Sequence, residues 1–177
     1  NPDLIAQSGA TQTSHPHRLI PLSSQDQIRD PRDRPRDRLA EPLRRGHDFP
    51  MPAVLAVFAH PDDIEFRAAG TLLLLRDRGW DVHYCNLSNG DLGSATLSQT
   101  VTAKTRSLEA QASCRSMGFQ WHPPIASDLC IFYTEANIRR VAALVRSVQP
   151  TVVLTHPPLD YMEDHTETCR IVVTAAF

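Results

Sequence analysis

The chain has no Cys-x-x-Cys pair, no long apolar run and no surplus charge of either sign. Each absence closes off a class of function. Its four cysteines, Cys85, Cys114, Cys130 and Cys169, stand far apart, which argues against a structural zinc knuckle. They read as reduced thiols of a cytoplasmic protein. No stretch approaches the roughly 18 apolar residues that a membrane span needs. The N-terminus lacks the charged-then-apolar pattern of a secretory signal. A formal net charge of −2 sets up no strong field to gather nucleic acid or an anionic membrane. Neither G-x-G-x-x-G nor G-x-x-x-x-G-K-[ST] occurs, so nucleotide binding is disfavoured. The chain carries no internal repeat. At 177 residues it has material for one domain with a sizeable core.

What is present falls into two parts. Residues 1–50 hold seven of the 14 prolines and the mixed-charge run Asp30-Pro31-Arg32-Asp33-Arg34-Pro35-Arg36-Asp37-Arg38. A segment without an apolar face cannot offset its ordering entropy, so the expectation is a disordered or non-native leader, with Met51 as the natural start. From residue 51 the pattern alternates. The apolar run 53–59 predicts a strand covered on both faces. A helix over 65–78 follows, stopped by Gly79, then a strand over 81–87 and a turn-rich loop at 88–94. A helix over 99–117 ends at Gly118. Residues 119–133 have room for one short strand. A helix over 135–148 stops before Pro150, a strand covers 151–155, and a last helix starts near Thr166. That helix has no Gly, basic last turn or Pro to close it, so the expectation is a domain whose C-terminal part is missing. Strand–helix alternation predicts an α/β fold with a mostly parallel sheet and right-handed crossovers.

Chemistry gathers at two predicted strand ends. His60-Pro61-Asp62-Asp63 follows the first strand and Tyr161-Met162-Glu163-Asp164-His165 follows the last. Ligands of open parallel sheets bind beyond the carboxyl ends of strands. If these strands are neighbours, both loops face one crevice. His60 and Asp63, three apart on a turn entering a helix, share a side, and His165 supplies a third ligand from across. A His-Asp-His set leaves one position open on a tetrahedral zinc, as in catalytic sites; iron, manganese and cobalt also accept such ligands. Asp62 points elsewhere and is free to take a proton from a metal-activated water. Asp164 is expected to orient His165 through its second ring nitrogen, or to hydrogen-bond elsewhere around the site.

Plainer readings exist for each residue. Asp62 or Asp63 could only cap a helix. Glu65 could be a first-turn acid favoured by the helix dipole. His83, inside a strand, reads as structural. His156, at a strand end, reads either way. The two clusters together favour the site.

These residues resemble a known family. Ala59-His60-Pro61-Asp62-Asp63-Ile64-Glu65 with Gly70-Thr71-Leu72 is similar to the A-H-P-D-D-x-E…G-T-L signature of the PIG-L/LmbE-like deacetylases. The loop Asn89 to Ser94, the helix residues Arg106, Glu109 and Ala110, the strand entry Gln149-Pro150-Thr151-Val152-Val153 and the segment Asp160 to His165 resemble further family motifs. The resemblance implies a Rossmann-like three-layer sandwich and zinc-dependent hydrolysis of an N-acyl group, typically acetyl on an N-acetylglucosamine moiety. It implies His60, Asp63 and His165 as ligands of Zn2+ and Asp62 as general base. It makes Arg106 and Asp91 candidates for contacts to a small amidated sugar or conjugate. Two departures stand out. Met162 occupies a position where many members carry a His that stabilises the oxyanion; either zinc alone then polarises the carbonyl or another donor does, with His156 as a substitute. Arg67-Ala68-Ala69 replaces a small, glycine-rich stretch. Other readings are a zinc amidase for a thiol conjugate or non-sugar amide, and a non-catalytic sugar- or metal-binding protein. Self-association into a homo-oligomer is compatible with either.

Overall fold

The computed structural model describes residues 51–177; the expected leader lies outside the described residues. The order is β1 (Ala53–Phe58), α1 (Asp63–Arg67), α2 (Ala69–Asp77), β2 (Asp81–Asn86), α3 (Gln99–Ser116), β3 (Gln120–His122), α4 (Glu135–Val148), β4 (Val152–Leu154) and α5 (Glu163–Ala176). The sheet runs β3-β2-β1-β4 with every pairing parallel. The chain builds outward from β1 on one side, then returns to add β4 on the other. Strand order therefore reverses at β1, and a crevice opens where the loops after β1 and β4 part.

β1 is buried along its whole length, so its two-residue period feeds two cores. Val54, Ala56 and Phe58 pack with Ile64, Leu72, Val82, Tyr84, Ala110 and Cys114. Leu55, Val57 and Ala59 pack on the opposite face with Leu87, Ile131, Val141, Ile171 and Val172. Burying each larger aliphatic contributes about 1.5–3 kcal/mol. Helices on both faces give the three layers that the alternating sequence predicts. Among the described residues no helix is long and apolar enough to cross a membrane.

Two helix boundaries differ from the sequence reading. The helix expected over 65–78 starts at Asp63 and breaks at Ala68, whose φ of −131° leaves helical geometry. Ala68 meanwhile buries its methyl in the core. The last helix starts at Glu163, three residues early. Glu163 and Asp164 occupy its first turn, where the helix dipole favours negative charge. His165 thus sits on a helix rather than in a loop.

All four cysteines are free; Cys85, Cys114 and Cys169 are buried and Cys130 is exposed. Burial pushes the thiol of Cys85 up to about 12 and that of Cys114 up to about 11. Thiolate is the reactive form. In a native DTNB assay one thiol, Cys130, should react quickly, and the other three only on unfolding. Two or more fast thiols would contradict this packing.

Candidate metal centre

Asp63 opens α1, and its carboxylate faces inward, 7 % exposed. Its Oδ2 accepts the His60 backbone N–H at 2.8 Å and lies 3.4 Å from His60 Nδ1 and 3.4 Å from His165 Nε2. Ligands about 2.0–2.1 Å from a tetrahedral zinc stand about 3.3–3.4 Å from one another. His60, Asp63 and His165 therefore fit a metal, with donor atoms all within 4.8 Å of one another.

The opposite nitrogen of each imidazole is tied to a carboxylate. His60 Nε2 lies 3.0 Å from Asp164 Oδ2, and His165 Nδ1 lies 3.0 Å from Asp160 Oδ1. Each carboxylate accepts a ring N–H and fixes the tautomer that aims the free lone pair at Asp63. Of the two expectations for Asp164 the second matches: it hydrogen-bonds elsewhere around the site, to His60, and the partner of His165 is Asp160. Asp164 Oδ2 also accepts the Leu129 N–H at 2.7 Å. Leu129 adopts a positive φ of 58°.

Burial works against charge on His60, but hydrogen bonds to Asp63 and Asp164 outweigh it and hold the imidazole above its ordinary pKa. Burial likewise favours protonated Asp63, yet the His60 ring, the His60 backbone N–H and the neighbouring His165 hold it well below the carboxylate range. Asp63 is thus ready to bind a cation.

A second group, His156, Asp160 and His165, also lies within 4.8 Å. The rings of His156 and His165 stack at 3.9 Å and 8°. Lone pairs lie in the ring plane, so parallel stacked rings do not converge on one ion. His156 Nε2 already accepts the Ala59 N–H at 3.0 Å, which spends its lone pair. Burial lowers the His156 pKa, in keeping with a neutral ring. His156 is thus a backing plate for His165. It lies off the cavity wall with its side chain fully buried, a placement that argues against the roles of substitute oxyanion donor and substrate contact.

Asp62 leaves the cluster. Its φ of 102° turns consecutive side chains apart, Asp63 into the core and Asp62 into the cavity. Its Oδ2 accepts from Arg106 at 2.8 Å. Burial raises the Asp62 pKa, with Arg106 pulling the other way. Arg106 reaches over because Gly90 has no Cβ: one built there would lie 3.0 Å from Arg106 Cβ, at a φ of 72°. Arg106 also donates to Glu109 and to the Pro61 carbonyl.

The cavity holds about 430 Å³ and is lined by His60, Asp62, Asp63, Arg106, Asp128, Leu129, Met162 and His165, among others. Asp91 and Glu65 are not on its wall. Asp91 Oδ1 accepts the Asp128 N–H at 3.0 Å, which ties two loops together instead of facing substrate. Glu65 accepts the Tyr84 hydroxyl at 3.1 Å, beneath the site. His83 pairs with His122 at 2.9 Å, away from the cavity.

Asp128 escaped the sequence reading. It accepts from Ser88 Oγ at 2.7 Å and from the Gly90 and Leu92 N–H groups at 2.9 and 3.0 Å. It thereby clamps the loop after β2 to the loop after β3. An acid in a loop between apolar residues was the available signal, and it is a weak one.

A parallel sheet with a His-Asp-His set at its switch point defines an α/β protein with a metal-type centre. Residues 55–176 match the family described as PIG-L, GlcNAc-PI de-N-acetylase, and the chain belongs to that family. It is 28% identical over 131 residues to a probable N-acetyl-alpha-D-glucosaminyl L-malate deacetylase 2 of Bacillus cereus, covering 69% of this chain and 60% of that protein. It is 30% identical to the diacetylchitobiose deacetylase of Thermococcus kodakarensis, covering 63% of this chain and 43% of that one. A 4-oxalmesaconate hydratase of Pseudomonas putida matches at 28%, over 69% of this chain and 50% of its own length. The chain thus spans about half the length of the curated relatives it matches. Among solved structures, N,N'-diacetylchitobiose deacetylase from Pyrococcus horikoshii superposes with a TM-score of 0.63 at 27% identity, covering 70% of this chain and 48% of that one. The 4-carboxy-2-hydroxymuconate hydratase from Pseudomonas putida does so with a TM-score of 0.66 at 27% identity, covering 71% and 55%.

Proposed function

We propose that the chain is the metal-binding part of a zinc-dependent N-deacetylase that removes an acetyl group from an N-acetylglucosamine-type conjugate. The convergence of Asp62 and the His60–Asp63–His165 set on one cavity carries the reading. The family match and the two deacetylase relatives support it. His60, Asp63 and His165 would hold the ion. When bound, zinc supplies Lewis acidity toward the amide carbonyl and acidifies water. Asp62 takes the proton of the attacking water and returns it to the leaving nitrogen, so acetate and a free amine result. Arg106 holds the Asp62 carboxylate in place and offers a cationic edge to sugar hydroxyls. Met162 cannot donate a hydrogen bond, so its own side chain supplies no donor for the oxyanion. The four free thiols fit a reducing, cytoplasmic setting.

The hydratase matches favour a second reading, in which the same centre adds water across a conjugated C=C bond. The discriminating experiment incubates zinc-loaded chain with N-acetylglucosamine conjugates, other N-acyl amines and unsaturated dicarboxylates. Acetate release from the first group supports deacetylation. Loss of conjugated ultraviolet absorbance without any acetate would replace it with hydration. Bound zinc with neither activity would leave a binding protein.

A further inference from the structure

The short helix α1 ends on Arg67, one turn after Asp63. Its Nε lies 3.7 Å from Asp63 Oδ1, and its Nη1 lies 3.4 Å from Asp160 Oδ2. In both carboxylates the other oxygen is committed inward. Asp63 Oδ2 faces the two histidine ligands, and Asp160 Oδ1 holds His165 Nδ1 and accepts the Met162 N–H at 3.3 Å. One guanidinium thus touches a ligand carboxylate and the carboxylate that orients a ligand imidazole. These come from chain segments about a hundred residues apart, joined here across the crevice. We infer that Arg67 is a positioning residue that assembles the metal centre, turning Oδ2 of Asp63 and Nε2 of His165 toward a common ion.

The side chain is about one-third exposed, so it lies over the carboxylates rather than in the core, and its loss opens no large hole. Two carboxylates on different sides require a planar fork with separate donors; a lysine offers one point charge and reaches only one of them. Carboxylates beyond the ligands commonly set metal affinity by about 10–100-fold. Arg67 orients two such groups together.

This inference rests on the metal reading of the site but not on the reaction. The test titrates the full chain with zinc against a chromophoric chelator, for the unsubstituted protein and for Arg67→Met and Arg67→Lys. Cobalt(II) absorption reports ligand geometry in parallel. Zinc affinity should fall about 10–100-fold in Arg67→Met, with a weakened cobalt band, and recover only in part in Arg67→Lys. Melting of the metal-free protein should hardly change. Zinc affinity and cobalt spectra equal to the parent's in both variants would overturn the inference, as would a loss of affinity explained by a matching loss of metal-free stability. A parent chain that binds no zinc would overturn the metal reading itself, and this inference with it.

Discussion

Asp62→Asn should keep its zinc and lose turnover by about 10²–10⁴-fold, the usual weight of a positioned proton acceptor. The change is nearly isosteric. Asn can still accept from Arg106, and Asp62 makes no contact with the His60–Asp63–His165 donors. Fold and metal content should therefore persist, checked by melting and by elemental analysis. Near-normal turnover would remove Asp62 from the base role. The pH profile supplies a second readout. Burial raises the Asp62 pKa and Arg106 opposes it. The base works deprotonated, so activity falls as pH drops through this pKa. Arg106→Gln removes the opposing cation, so the acid limb of kcat/KM should move to higher pH. A shift to lower pH would mean that another group sets that limb.

His165→Ala should lose the metal and the activity together. The ring is 2 % exposed and supplies one of three donors. Two donors do not make a closed zinc site, so zinc content should fall from about one ion per chain toward none. Turnover would lose the several kcal/mol of charge stabilisation expected of the ion, about 10²–10⁴-fold or more. The substitution also removes the stacking partner of His156 and the N–H that Asp160 accepts. Unmet buried polar groups cost about 1–3 kcal/mol, so the metal-free variant should also melt earlier. Retention of a full zinc ion would show that His165 is not a ligand. Together the two variants separate proton transfer from metal binding, because the first breaks one and the second breaks both.

The helix Glu135–Val148 was legible to the residue, since its amphipathic period runs between Thr134, whose hydroxyl accepts the Asn137 N–H, and Pro150. β1 was legible because seven apolar residues in a row have no other economical use in a sheet covered on both faces. The break at Ala68 was not. Residues 65–78 read as an unbroken helix, but Ala68, buried in the core, leaves helical geometry between Arg67 and Ala69. The grouping of His60, Asp63 and His165 was visible because residue type and strand-end position are both local properties. The separate direction of Asp62 was visible too, since neighbours on a turn diverge.

What the sequence by itself determined is the order of elements, the apolar faces that pair them and the residue types offered at the switch point. Tertiary structure decided the partnerships. Asp160 serves His165 and Asp164 serves His60, although adjacency suggested otherwise. Asp91 turned from the cavity to the Asp128 amide, and His156 went behind the His60–Asp63–His165 set. The reason is geometric. Which carboxylate meets which imidazole depends on how segments about a hundred residues apart aim their side chains into a shared crevice. Periodicity along one chain carries no record of that aim.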